Sequence, residues 1–408
     1  MRILFGVHGY KPAYRIGGPI YSVSALAEGL VHRGHKVVVF TSNSNLDQDL
    51  DVPTDHPVDV DGVEVWYFQR TAFLKERLPF LPYIAKSLGF LYAPRMRREL
   101  DRLVPSMDLV HTHMPFNYPS VAAARAAFRH RKPLFYHQRG VLDPERLKFR
   151  ALKKRAYIEL VERPILKRAT SLIALTHAEE ESYRRLGVST PCRVIPNGIH
   201  LDTKNLGRSS GATLGIPERV PVMLFMGRIH PTKGADVLLD AFLAVSRAVP
   251  DAILVFAGPD EFLLEERFRA TAQSHGLAER VLFTGMVSGT EKWALLARAN
   301  LFCLPSVAEG FSIAVLEAMA SGVPVLLSRG CHFPEVEACK AGQVVERTPA
   351  AFADAAINLL RNREQLSEMG RAARSLVEDR YAWDRVVDQM IQAYREGMER
   401  HRRQTMAQ

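Results

Sequence analysis

Cysteine is scarce in this chain, and long apolar runs are missing. Four cysteines, Cys192, Cys303, Cys331 and Cys339, form no C-x-x-C pair, so neither a disulfide framework nor a cysteine-based zinc site is indicated. No apolar run approaches the ~18 residues that a membrane-spanning helix needs. The first ten residues, MRILFGVHGY, read as a strand entering a loop with no cleavage site behind it, so the protein is expected in the cytoplasm. No G-x-G-x-x-G opens a helix after that strand, which argues against a dinucleotide cofactor. No H-E-x-x-H is present, nor a D-x-D pair of the kind that chelates a nucleotide-bound cation, and no cofactor or metal is expected. Helix-turn-helix, zinc-finger and RNA-recognition signatures are absent, making nucleic acid the weakest candidate partner.

What is present suits a two-domain enzyme. The chain has 408 residues, 47% apolar and 24% charged, too long for one ordinary core. Short β-rich runs (MRILFGV, HKVVVFTS, VEVWYF, DLVHTH, KPLFYHQ, SLIALT, CRVIPN) alternate with helical stretches such as YPSVAAARAAFRHR. That alternation predicts an α/β domain with a doubly wound parallel sheet. It lapses into a Gly- and Ser-rich stretch and resumes at PVMLFMG, AILVFAG, RVLFTG, NLFCLPS, PVLLS and AGQVV. The expected divisions are a first Rossmann-like domain over 1–203, a linker over 204–219, a second over 220–385, and a terminal helix over 386–408 returning to the first.

The most informative stretch is EGFSIAVLE, with Glu309 in a loop at the mouth of a helix and Glu317 on that helix. A strand, a turn and a helix N-terminus form an anion site. Ionised carboxylates only accept hydrogen bonds, and sugars offer many donors. A ligand with both phosphates and hydroxyls, a nucleotide sugar, fits such a mouth. Upstream, GRIHPTKG places Gly227, Arg228 and Lys233 between a strand and a helix start. Fixed cations there would stabilise the charge that grows on a departing nucleoside diphosphate.

With these motifs the sequence resembles the retaining glycosyltransferases of family 4, which have the GT-B fold: two Rossmann-like doubly wound domains facing across a cleft. The resemblance implies a donor-sugar contact for Glu309 and a ribose contact for Glu317. It also implies diphosphate neutralisation by Arg228 and Lys233, and a donor-lining turn of Gly227, Gly310, Phe311 and Ser312, the last standing where a glycine is common. The paired Gly17 and Gly18 match an N-terminal loop facing the donor phosphates. His113, the second histidine of DLVHTH, matches a histidine near donor and acceptor, whereas His111 is expected to point the other way into packing. In YHQRG, Arg139 stands where the family more often has histidine. His137 therefore cannot simply inherit that role, and Arg139 could suit an acceptor phosphate. The activity so implied is metal-independent, retaining transfer from a UDP- or GDP-sugar.

Charge is uneven: residues 1–200 hold 30 Lys+Arg against 19 Asp+Glu. The first half is thus expected to meet something anionic, and a glycan or lipid-linked acceptor at the inner face of the plasma membrane would qualify. The stretch 70–103 mixes apolar and basic residues as interfacial segments do, although a pair of packed helices reads the same; a second basic run, 146–155, reads as a solvated face. Two other classes stay open. A sugar-nucleotide epimerase shares the two-domain build but is not marked by this glutamate pair. A non-catalytic nucleotide-sugar-binding protein would not need Arg228, Lys233, Glu309 and Glu317 together. A glycosidase is disfavoured, because its carboxyl pair flanks the scissile bond and these glutamates share one loop and helix.

Overall fold

A computed structural model describes residues 1–45, 48–70, 93–147, 151–201, 216–217 and 219–407. Most of the expected linker, much of the 70–103 segment and residues 148–150 lie outside these. The chain divides into two compact units, Met1–Asn197 with Trp383–Gln408, and Gly198–Ala382. The divisions therefore fall some residues before the expected 203 and 386.

The first unit is built on an eight-stranded sheet. From edge to edge it runs Cys192–Val194, Ser171–Ala174, Leu134–His137, Leu109–His113, Arg2–Gly6, Lys36–Ser42, Val63–Phe68 and Pro57–Val60. All neighbours are parallel except the last pair. The antiparallel edge strand was not foreseen: PVDV is only four residues long with a proline and an aspartate, and its pattern alone does not separate it from a loop. Strand residues alternate between two cores, as the period of two requires. Leu4, Val38, Val110 and Tyr136 face helices Pro94–Leu103 and Tyr118–Arg129. Ile3, Phe5, Leu109 and Phe135 face helix Gly18–His32 and the terminal helix Trp383–Met406. The terminal helix packs through Val386, Val387, Met390 and Tyr394, all buried.

The second unit holds a six-stranded, all-parallel sheet. Its order is Val281–Gly285, Ile253–Ala257, Val222–Met226, Leu301–Leu304, Val325–Ser328 and Gly342–Val345. In this second sheet the central strands are buried and almost wholly apolar, as a parallel sheet covered by helices demands. Local signals set the helix starts. Asn117 accepts from Ser120 N, Thr348 from Ala351 N and Asn362 from Gln365 N, and Pro119 and Pro349 sit in first turns, where their missing N–H costs nothing.

Candidate active site

In the second unit, strand Val222–Met226 ends at Gly227 and Arg228, and the turn Pro231–Lys233 follows. Gly234 closes that turn at φ 74°, where a Cβ would lie 2.0 Å from Pro305 O. Only glycine lets this turn approach the loop after strand Leu301–Leu304. The two loops are then joined: Val307 N donates to Thr232 O at 2.8 Å, and Arg347 Nε donates to Pro305 O at 3.0 Å.

Lys233 and Glu309 meet in this junction, Nζ to Oε1 at 2.6 Å, with side chains 18% and 5% exposed. Ser306 Oγ lies 2.6 Å from the same carboxylate oxygen and 2.9 Å from Thr232 O. Its single proton goes to the stronger, charged acceptor. Glu309 N donates to Gly330 O at 2.8 Å, fixing the loop from the other side. Gly310 and Phe311 follow, with Phe311 buried against Phe333 and Tyr381 at 4.9 and 5.4 Å. Ser312 caps helix Ile313–Ala320 by accepting from Val315 N. The glycine-to-serine change thus supplies the cap that this helix uses.

On the same helix, the largely buried Glu317 pairs with Lys292 of helix Gly289–Arg298 at 2.6 Å. Burial pushes the Glu317 carboxyl up, and Lys292 works against that shift. Arg228 is more open: its guanidinium reaches Glu261 at 2.8 Å with both side chains over a third exposed. Such exposed pairs are worth at most about 1 kcal/mol, so Glu261 holds Arg228 only weakly. Lys292 and Glu261 carried no local sequence signal, because each meets its partner through the fold. His230 accepts from Thr232 N at 3.0 Å. Burial first, then Arg228, lowers its imidazole pKa, with Glu261 opposing.

In the first unit, Gly17 has φ 96° and precedes helix Gly18–His32, and a Cβ on Gly17 or Gly18 would meet nothing within 4 Å. The helix mouth is open there. His111 and His113 both come from strand Leu109–His113, and His137 ends the neighbouring strand, in register with His113. The expectation that His111 points away is overturned: residues two apart on a strand share a face, and the two rings lie 4.0 Å apart between centroids. One ligating atom from each of His111, His113 and His137 lies within 4.8 Å of the others, the one such cluster found among the described residues. Burial chiefly lowers the pKa of all three. The sequence hid this group, since strand pairing is what adds His137.

Arg139, expected to meet an acceptor phosphate, is 7% exposed. Its Nε donates to His113 Nδ1 at 3.1 Å, and its Nη1 reaches Ser22 Oγ at 2.8 Å and Asn197 Oδ1 at 3.0 Å. Burial brings its pKa down to about 10, with Glu179 and Tyr394 acting the other way. Behind the loop that follows His113, a π-helical turn over Ile158–Glu162 aims the buried Glu162 at Phe116 N (2.9 Å) and Tyr136 OH (2.6 Å).

Two mainly parallel sheets, each wrapped by helices in its own unit, place the chain in the GT-B class. Sucrose-phosphate synthase from Thermosynechococcus elongatus shares the fold, with a TM-score of 0.74 over 97% of this chain and 98% of that one at 22% identity. Residues 17–198 match the family described as glycosyl transferase 4-like domain, and residues 210–376 match glycosyl transferases group 1. The chain belongs to this glycosyltransferase family. A phosphatidyl-myo-inositol mannosyltransferase of Mycobacterium leprae is 36% identical over 206 residues, 49% of this chain and 52% of that protein. A GDP-mannose-dependent alpha-(1-6)-phosphatidylinositol monomannoside mannosyltransferase of Mycobacterium tuberculosis is 33% identical over 210 residues, 48% and 54% of the two chains. The chain spans about half the length of the curated relatives it matches. Among the described residues no helix is long and apolar enough to cross a membrane.

Proposed function

We propose that the protein moves one glycosyl unit from a UDP- or GDP-sugar to a hydroxyl of a glycan or lipid-linked acceptor, with retention of anomeric configuration and without a metal. The observation that carries this reading is the buried Lys233–Glu309 pair, held with Ser306 at the mouth of helix Ile313–Ala320. In this reading the second unit, with Gly227, Gly310, Phe311 and Ser312, takes the donor, and the first unit takes the acceptor. Lys233 and Arg228 receive the charge of the leaving diphosphate. Glu309 accepts from donor-sugar hydroxyls and Glu317 from the ribose. Gly17 and Gly18 present backbone amides to phosphate oxygens, and His113 serves the sugar. The acceptor hydroxyl attacks the face from which the diphosphate leaves, and the departing phosphate takes the proton, so no protein base is required.

The names of the two mycobacterial relatives favour a lipid-linked acceptor. A basic, apolar surface supports the same choice: Leu152 and Leu160 are 86% and 79% exposed, beside Lys153, Lys154 and Arg155. This supports peripheral attachment to an anionic membrane face. Absence of binding to anionic liposomes at low salt removes that part alone.

The test is thermal unfolding against UDP, GDP, ADP and their sugars, with Mg²⁺ or with chelator. One nucleotide should raise the midpoint selectively, equally in both conditions, by an amount set by its concentration relative to Kd. A rise that requires Mg²⁺ refutes metal independence. No rise with any nucleotide refutes the donor site.

A further inference from the structure

Three buried imidazoles within ligating distance invite a metal reading, yet the partners of His113 argue otherwise. A guanidinium has donors and no acceptor. Because Arg139 Nε–H points at His113 Nδ1 at 3.1 Å, that nitrogen carries the lone pair. In the neutral ring the proton therefore sits on Nε2. His113 Nε2 is itself fully buried and has no hydrogen-bond partner. A metal needs a lone pair at the nitrogen it binds, and the only one on His113 is already engaged by a cation. Arg139 would also repel a dication.

We propose that Arg139 is a positioning residue that locks His113 in the Nε2–H tautomer, so that its one N–H, buried and unpartnered in this structure, is held as a fixed neutral donor for a substrate oxygen. This rests on the reading of His113 as a substrate contact. The lock is braced on several sides. Arg139 is held by Ser22 on the first helix and by Asn197. Phe5 packs edge-on to His113 at 4.7 Å between ring centroids. His111 lies beside it and is occupied through Nδ1 by Tyr394 OH at 2.6 Å. With Arg139, His111 and His137 as the titratable and charged neighbours, a second positive charge on the His113 ring is disfavoured. The ring stays a donor at Nε2 rather than becoming a proton shuttle. An N–H aimed at a sugar oxygen or a leaving-group oxygen stabilises negative charge growing there, whereas the opposite tautomer would present a lone pair and repel it. Ser22 and Arg139 act together: a small hydroxyl on the helix leaves room for the guanidinium and accepts one of its hydrogens.

The experiment is ¹⁵N-histidine NMR on the full chain, with His113→Gln used to assign the ring. The expected spectrum shows Nε2 protonated and Nδ1 unprotonated in the wild type, and a mixture of tautomers in Arg139→Met. Arg139→Lys, which keeps a donor, should restore part of the wild-type ratio and guards against a merely misfolded Met variant. In kinetics, Arg139→Met should lower kcat by up to about a hundredfold, the low end for loss of a charge-stabilising donor since only the tautomer ratio changes, with KM for the nucleotide sugar little changed. A wild-type His113 protonated at Nδ1 overturns the proposal. So does tight Co²⁺ binding with histidine-ligand absorption bands in the wild type, because it requires the lone pair that the lock places elsewhere. The tautomer is read without turnover, so a failed donor-site reading and a failed lock give different results.

Discussion

Replacing Lys233 with methionine tests whether the loop junction of the second unit is an electrostatic structure as well as a binding site. The side chain keeps its stem and loses its ammonium, which lies 2.6 Å from a carboxylate only 5% exposed. Removing one partner of a buried pair costs about 3–5 kcal/mol, because the remaining charge has been taken out of water. Lys233 itself is 18% exposed, and Glu309 can relieve the penalty by taking a proton, which places the cost at the low end, about 3 kcal/mol. For a domain of this size that corresponds to a fall of about 6–12 °C in the unfolding midpoint. Glu309→Gln removes the stranded charge while retaining shape and an acceptor oxygen for Ser306. The double variant Lys233→Met with Glu309→Gln should therefore recover most of the loss, with a coupling energy of about 2 kcal/mol across the cycle. Calorimetry on the four proteins supplies the numbers, and a transfer assay should show activity lost in all three variants. If Lys233→Met unfolds within 2 °C of the wild type, or the glutamine brings no recovery, the pair is not the buried electrostatic contact inferred here.

Three further outcomes follow from the same geometry. Burial raises the Glu317 carboxyl pKa, so the folded chain holds that proton more tightly than the unfolded one. Its contribution to stability is lost as pH rises through the raised pKa, while nucleotide binding strengthens there, since the ribose needs an ionised acceptor. Titration calorimetry should show this pH dependence, and Lys292→Met should move it to higher pH; an unmoved profile sinks the ribose role. Gly234→Ala places a methyl 2.0 Å from Pro305 O in a left-handed turn and should cost at least about 2 kcal/mol, read by chemical denaturation; near-neutral behaviour would mean that the two loops are not tightly apposed. Arg228→Ala should slow transfer by about tenfold or more with little change in midpoint, since its partner Glu261 is exposed, and Glu261→Gln should leave transfer equal or faster.

The sequence by itself determined much of the fold. The β-rich runs named in both halves are strands of the two sheets, because buried parallel strands announce themselves as short apolar runs between turn residues. The caps Asn117, Ser312 and Thr348 are local too, each a contact over three residues, although no sequence expectation singled them out. Glu309 and Glu317 stood out through spacing along one strand, loop and helix, and Arg228 and Lys233 along another. Tertiary structure alone decided which charges meet. Lys292 finds Glu317 across 25 residues and Arg228 finds Glu261 across 33. His137 joins His113 through strand register. Tyr394 reaches His111 across 283 residues because the terminal helix packs on the first sheet. A local pattern fixes periodicity and caps, whereas a partner across a sheet depends on strand order and register. Those are set by the packing of the whole unit, and the pattern of any one segment is compatible with several.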